Sequence, residues 1–179
     1  AEEAARTAGV PLLHPGDPVL SGGLHLAIDG ADEVDPRHNL VKGGGAALLR
    51  EKVVAAMAEH LVIVITHTKR VGNLGIEFAV PVEVVPFALV SVTRALSALG
   101  CDPLLRMGRA KMGPLITDNG NCIIDCRFRQ PFEPATMEAA IRRIPGVVEN
   151  GLFCGFKPTL VIAQSDGTVI VPFSSSSRA

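Results

Sequence analysis

Leu61-Val-Ile-Val-Ile65 is the stretch that decides the fold: five consecutive apolar residues, four of them β-branched. A short run without polar alternation suits a parallel strand buried on both faces. Immediately before it, residues 46–60 have the length and apolar spacing of a helix, and Lys42-Gly43-Gly44-Gly45 forms a turn leading into that helix. Further upstream, Leu24-His-Leu-Ala-Ile28 reads as another strand, while residues 34–39 are polar, contain Pro36 and read as a loop. Strand, helix and strand in alternation predict a parallel α/β sheet. Asp29, Lys42 and Lys69 each follow the carboxyl end of a strand candidate, the edge at which open α/β sheets bind ligands.

From about residue 80 the pattern changes. Residues 80–85 read as a strand, 87–99 as a helix ended by Gly100, and 104–107 as a short strand. Residues 114–117 and 122–128 read as a hairpin across Asp118-Asn-Gly-Asn121, whose Asn-Gly is a strong turn signal. A helix over 134–144 stops at Pro145-Gly146, and a strand over 147–153 closes a βαββαβ-like order. Strands over 159–164 and 168–171, around Ser165-Asp-Gly167, return to the first sheet. The expected class is therefore α/β: a Rossmann-like parallel sheet domain, incomplete at its N-terminal side, with a smaller ferredoxin-like α+β domain. The expected division is 1–78 plus 155–173 for the first, 79–154 for the second, and a frayed tail over 174–179. Residues 1–20 read as the end of a helix (2–8) and a Pro-rich connector from Pro11 to Pro18.

Composition excludes several classes. With 179 residues, 47% of them hydrophobic, and a mean hydropathy of +0.33, the chain can bury a real core. A net charge of −1 and 4% aromatic residues give neither an electrostatic footprint nor stacking platforms for nucleic acid. No stretch approaches the ~20 apolar residues of a membrane span. Cys101, Cys122, Cys126 and Cys154 form no CxxC pair and read as buried thiols of a reducing compartment, so a cytoplasmic protein is expected.

The candidate chemistry lies in two segments. Asp29-Gly-Ala-Asp32-Glu33-Val-Asp35 places carboxylates where a strand ends; Lys42-Gly-Gly-Gly-Ala-Ala-Leu-Leu-Arg50-Glu51-Lys52 follows, its lysine 13 residues after Asp29. Carboxylates, a cation and glycine N–H groups at one sheet edge suit proton transfer on a small anionic substrate. Helical winding puts Val53, Val54, Met57 and Leu61 on the buried arc, Lys52 and Glu59 away from it, and Glu51 on the flank. There, partial desolvation would make Glu51 a general base; the alternative is an ordinary solvated helix glutamate. The Lys42–Gly45 segment matches neither a Walker A loop nor GxGxxG, and reads either as an anion-holding loop or as a tight turn with a solvated lysine. Asp29, Asp32 and Asp35 recur every third residue, but without an EF-hand pattern or a histidine at ligand spacing, so no metal is expected. Gly30-Ala31 reads as a bend aiming Asp29 and Asp32 inward, and Asp35 as a turn residue. Arg50 falls inside the apolar arc, either paired with a carboxylate of the Asp29 segment or snorkelling outward. Lys69 either reaches an anion at the sheet edge or is solvated.

Together with Thr68-Lys69, Pro81-Val-Glu-Val-Val-Pro86, Thr117-Asp-Asn-Gly-Asn121 and Ile144-Pro-Gly-Val-Val148, these segments closely resemble the A-type ribose-5-phosphate isomerases, collinearly from about residue 1 to Val171. The resemblance implies interconversion of D-ribose 5-phosphate and D-ribulose 5-phosphate in the pentose phosphate pathway, without metal or organic cofactor, by a homodimer or homotetramer. It implies that Glu51 is the base. It implies further that Asp29, Gly30, Ala31 and Asp32 form the substrate-binding carboxylate segment, Lys42, Gly43, Gly44 and Gly45 the lysine-glycine loop, and Lys69 a substrate- or phosphate-contacting lysine.

The family also begins with a strand, a Gly-Thr/Ser-rich phosphate loop and a helix, and nothing of that kind precedes Asp29. This points to a piece of a longer protein or to a variant without its phosphate cradle. The rival expectation is a non-catalytic sugar-phosphate-binding module resembling the sensor domains of some bacterial transcription regulators. Such a module would need no base at Glu51.

Overall fold

Asp17 opens a single turn at Pro18 by accepting the Val19 N–H, and the chain then enters the first strand of a parallel sheet. The computed structural model describes residues 2–14, 16–108 and 112–171, so the tail expected over 174–179 lies outside the described residues. In chain order the elements are α1 (Glu2–Thr7), β1 (Leu24–Asp29), β2 (Glu33–Val34), β3 (Leu40–Val41), α2 (Leu48–Met57), β4 (Ala58–Thr66) and β5 (Val80–Val84). There follow α3 (Leu89–Ala98), β6 (Cys101–Leu105), β7 (Cys122–Phe128), α4 (Pro134–Arg142), β8 (Val147–Asn150), β9 (Leu152–Phe153), β10 (Thr159–Ala163) and β11 (Val169–Ile170).

The first sheet has the order β1-β4-β10-β11, with β1, β4 and β10 parallel and β11 antiparallel at the edge. Register pairs Asp29 with Ile63, which sets the first carboxylate at the carboxyl end of β1 beside the middle of β4. Leu61, Ile63 and Ile65 pack with Ala55, Leu40 and Phe153, so α2 and the β2–β3–β9 layer cover that face. The expectation of burial on both faces is corrected: Leu26, Ile28 and Val64 on the other face are 51%, 66% and 47% exposed. Apolar content alone therefore did not reveal that the described residues layer only one side of the sheet.

The helix expected over 46–60 is shorter. Ala46 has φ +63°, outside helical geometry, and the chain is already extended at Ala58, whose N–H caps Ala55. Its buried face is also rotated from expectation: Leu48, Lys52 and Ala55 are buried, whereas Val53 and Val54 are exposed.

The second four-stranded sheet is antiparallel, in the order β6-β7-β5-β8, with α3 and α4 packed on it. Val82, Val84, Val92, Leu96, Ile124, Cys126 and Ile141 form its core. The expected hairpin of 114–117 with 122–128 reduces to one bridge, Ile116 to Cys122; β7 pairs over its length with β6 and β5 instead. The expected strand over 147–153 breaks at Gly151, where β8 leaves the second sheet and β9 joins β3 in a small antiparallel sheet. Gly151 is required there: its N–H donates to Pro81 O, its carbonyl accepts from Lys42 N, and a Cβ would lie 2.3 Å from Lys42 O. The second sheet is thus tied to the small β2–β3–β9 sheet beside Lys42.

Candidate active site

Lys42 sits immediately after β3, hydrogen-bonded through its backbone to Gly151, with its side chain only 5% exposed. A buried ammonium requires oxygen partners. Its Nζ donates to Gly30 O at 2.6 Å, lies 2.9 Å from Asp29 Oδ2, and is 3.3 Å from Glu51 Oε2. One cation therefore bridges the carboxylate at the end of β1 and the carboxylate in the first turn of α2. Asp29 is further fixed by the Gly30 N–H, which donates to its Oδ1 at 2.7 Å. The Phe153 ring lies beneath the ammonium, its centroid 5.6 Å from Nζ.

Among the described residues the buried Glu51 Oε2 has no well-aligned hydrogen-bond donor, and Lys42 holds it as an ion pair at 3.3 Å. Burial pushes the Glu51 carboxyl above its ordinary value, opposed by Lys42 and reinforced by Asp29 and Asp32. A carboxylate that is partly desolvated, oriented and short of donors has the properties of a general base.

The glycine loop faces these groups. Asp32 Oδ2 accepts the Gly44 N–H at 2.8 Å, so one loop amide is already engaged. A Cβ at Gly44 would come within 2.8 Å of Asp32 Oδ1, and Gly43 has φ +104° with Leu48 pressed against it. Asp29, Gly30, Ala31, Asp32, Lys42, Gly43, Gly44, Gly45 and Glu51 line one open cleft of about 220 Å³. Lys69 stands apart from this lining, in a single turn over His67–Lys69 after β4. Asp35 is a turn residue, its carboxylate accepting the Arg37 and Asn39 N–H groups. The three aspartates thus serve three different partners. Among the described residues no three His, Cys, Asp or Glu side chains gather as a metal site.

Four supporting groups escaped the sequence reading. Lys52, expected to point outward, is buried: its Nζ reaches Glu138, Glu149, Asn150 O and Leu152 O, all within 3.0 Å, and lies 4.8 Å from the Phe153 centroid. Helical winding suggested exposure; the acidic and carbonyl partners come from α4 and β8–β9, about 100 residues away. Glu33 is buried beneath the segment after Lys69, accepting the Gly75 and Phe78 N–H groups at 2.7 Å. Glu83 Oε1 accepts from Thr117, Asn119 and Asn121, which fixes the Asn-Gly turn. Arg106 reaches Gly43 O and Gly44 O from the second sheet. Arg50 is exposed and binds Asp118 and Asn119 on that turn, so neither of its two expected fates describes it fully. The only advance signal for any of these was the Thr117–Asn121 turn motif itself.

The family model described as ribose 5-phosphate isomerase A (phosphoriboisomerase A) matches residues 1–167. A ribose-5-phosphate isomerase A of Thermosynechococcus vestitus is 51% identical over 89% of this chain and 66% of its own length. One from Treponema denticola is 44% identical over 90% of this chain and 68% of its own. The chain thus spans about two thirds of the length of these relatives. The Methanocaldococcus jannaschii ribose 5-phosphate isomerase A structure superposes with a TM-score of 0.85 at 36% identity, covering 96% of this chain and 74% of that one. A D-ribose-5-phosphate isomerase in complex with phospho-erythronic acid gives 0.88, again at 36% identity with 96% and 74% coverage. This chain belongs to the ribose 5-phosphate isomerase A family.

Proposed function

We propose that the protein interconverts D-ribose 5-phosphate and D-ribulose 5-phosphate through a cis-enediolate, in the non-oxidative pentose phosphate pathway. The observation that carries this reading is the Lys42 ammonium set between Asp29 and Glu51 at the mouth of a glycine-lined cleft. Asp29 moves the proton that opens the sugar ring. Glu51 then takes the C2 proton, the C–H electron pair forms the C1–C2 double bond, and O1 gains negative charge beside Lys42 and the loop amides. O1 then takes up the proton that O2 gives up, the carbonyl forms at C2, and Glu51 returns its proton to C1. One base on one face serves both transfers, because the cis geometry keeps C1 and C2 within its reach. Asp29, Lys42 and Glu51 are the catalytic residues in this reading. Gly30, Ala31, Asp32, Gly43, Gly44 and Gly45 shape the binding site, and Lys69 approaches the substrate from the end of β4.

The sugar phosphate is the only small molecule the mechanism needs; acid–base groups and fixed dipoles do the work of a Lewis acid. The phospho-erythronic acid bound to the solved relative is a phosphorylated four-carbon sugar acid, and its planar carboxylate resembles the enediolate end of the proposed intermediate. Among the described residues no helix is long and apolar enough to cross a membrane; the cytoplasm is part of the proposal, as the site of action. We take 1–78 plus 155–173 as the catalytic domain, 79–154 as the smaller one, and a homodimer or homotetramer as the working form. The test is direct. Ribulose 5-phosphate should form from ribose 5-phosphate with the full-length protein and stop with Glu51→Gln; binding of the sugar phosphate without turnover would overturn the reading.

A further inference from the structure

Arg106 lies between β6 and β7 with its side chain only 15% exposed, and its hydrogen bonds run in two directions. Nε donates to Asp125 Oδ2 at 2.8 Å, and Nη2 meets Asp125 Oδ1, a bidentate fork that fixes the guanidinium plane. Nη1 then donates to Gly43 O at 3.0 Å and to Gly44 O at 3.1 Å. A trans peptide unit is planar, and its C=O and N–H point in opposite directions. Holding Gly43 O therefore turns the Gly44 N–H away from Arg106, and that N–H meets Asp32 at 2.8 Å. Holding Gly44 O in the same way turns the Gly45 N–H away from Arg106. Gly45 lines the cleft, nothing crowds its Cα, and its N–H has no partner among the described residues.

We propose that Arg106, oriented by Asp125, is a positioning residue that aims the Gly45 N–H into the cleft as a donor to the developing oxyanion. The proposal rests on the isomerase reading of that cleft. Arg106 touches no substrate in it; it acts through two carbonyls of the loop. Glycines leave that loop free to turn either way, so an external clamp is needed to select one orientation. Lysine cannot supply the clamp, because a point charge cannot hold Asp125 by a fork and two carbonyls together.

The test compares Arg106→Ala and Arg106→Lys with the unaltered full-length protein. A misaimed donor acts on the transition state, so kcat should fall roughly 10–100-fold with KM changed less than about threefold. Low millimolar guanidinium should restore several-fold of the Arg106→Ala loss, and methylammonium should not. A second readout needs no turnover: phospho-erythronic acid should shift the Gly45 amide proton resonance downfield in the unaltered protein and leave it nearly unmoved in Arg106→Ala. Equal Gly45 shifts in both, or a kcat unaffected by Arg106→Ala in folded protein, overturn the proposal. An unaltered protein that binds phospho-erythronic acid at the loop but does not isomerise the sugar overturns the isomerase reading instead, and the Gly45 shift still decides the role of Arg106.

Discussion

Lys42 Nζ lies 3.3 Å from Glu51 Oε2, yet among the described residues that buried oxygen has no well-aligned hydrogen-bond donor. The attraction holds the carboxylate in place without tying up its lone pair along a donor axis. A base meant to remove a carbon-bound proton benefits from that arrangement, since a strong hydrogen bond would lower its basicity. Glu51→Gln keeps the shape and removes the base. Its kcat should fall by about 10²–10⁴-fold with KM little changed, as steady-state kinetics would show.

The pH dependence follows from burial of the same group. The Glu51 carboxyl is held above its ordinary value, first by desolvation, so kcat/KM should decline on the acid side at a pH above that of an exposed glutamate. The same shift has a sign in stability. The folded protein keeps the proton where the unfolded chain has released it, so this contribution is present at low pH and lost as pH rises through the folded value. At neutral pH the ionised Glu51 therefore costs stability. Glu51→Gln should raise Tm by roughly 1–4 °C at neutral pH, with the difference shrinking in acid. A calorimetric series showing the opposite trend would remove burial as the cause.

Asp29→Asn and Lys42→Ala should each lower kcat more than they weaken substrate binding, because both groups meet charge that develops during reaction. Exhaustive chelation should leave the rate intact. Loss of turnover on chelation with recovery on adding a divalent ion would make Asp29, Asp32 and Asp35 metal ligands.

Gly44→Ala tests the loop without disturbing the core. The added Cβ would meet Asp32 Oδ1 at 2.8 Å and force the carboxylate off the Gly44 amide. kcat/KM should drop roughly 10–100-fold, a misplacement effect, while Tm changes by less than about 3 °C.

Lys52→Met should have the reverse signature, a loss of stability in thermal or denaturant unfolding. It would leave the carboxylates of Glu138 and Glu149 and the carbonyls of Asn150 and Leu152 facing an apolar side chain. Removing one partner of such a buried network costs about 3–5 kcal/mol.

The contrast between Glu51 and Lys52 shows what could be read in advance. Glu51 belongs to a local pattern, a carboxylate just inside a helix that follows a lysine-glycine turn, and local patterns survive in sequence. The parallel strands, the second sheet with its two helices and the cleft-forming segments were legible for the same reason. Lys52 takes its meaning from Glu149 and Leu152, about 100 residues away, and no periodicity carries that information. Arg106 and Glu83 are legible only once β5, β6 and β7 are in place. Helix boundaries failed where the backbone decided them: Ala46 sits at φ +63° and clusters with Leu48 and Ile123, and Ala58 is already paired with Leu24 in the parallel sheet.

The most direct test of Glu51 as the shared base is isomerisation of ribose 5-phosphate in deuterated water, followed by NMR. A carboxylate that carries the proton between C2 and C1 exchanges part of it with solvent. Deuterium should therefore appear at C1 of ribulose 5-phosphate and at C2 of recovered ribose 5-phosphate. With Glu51→Gln, both labels and the conversion itself should vanish together. Conversion that proceeds at the native rate in Glu51→Gln would contradict the account, and so would conversion by the native protein that carries no deuterium into either carbon.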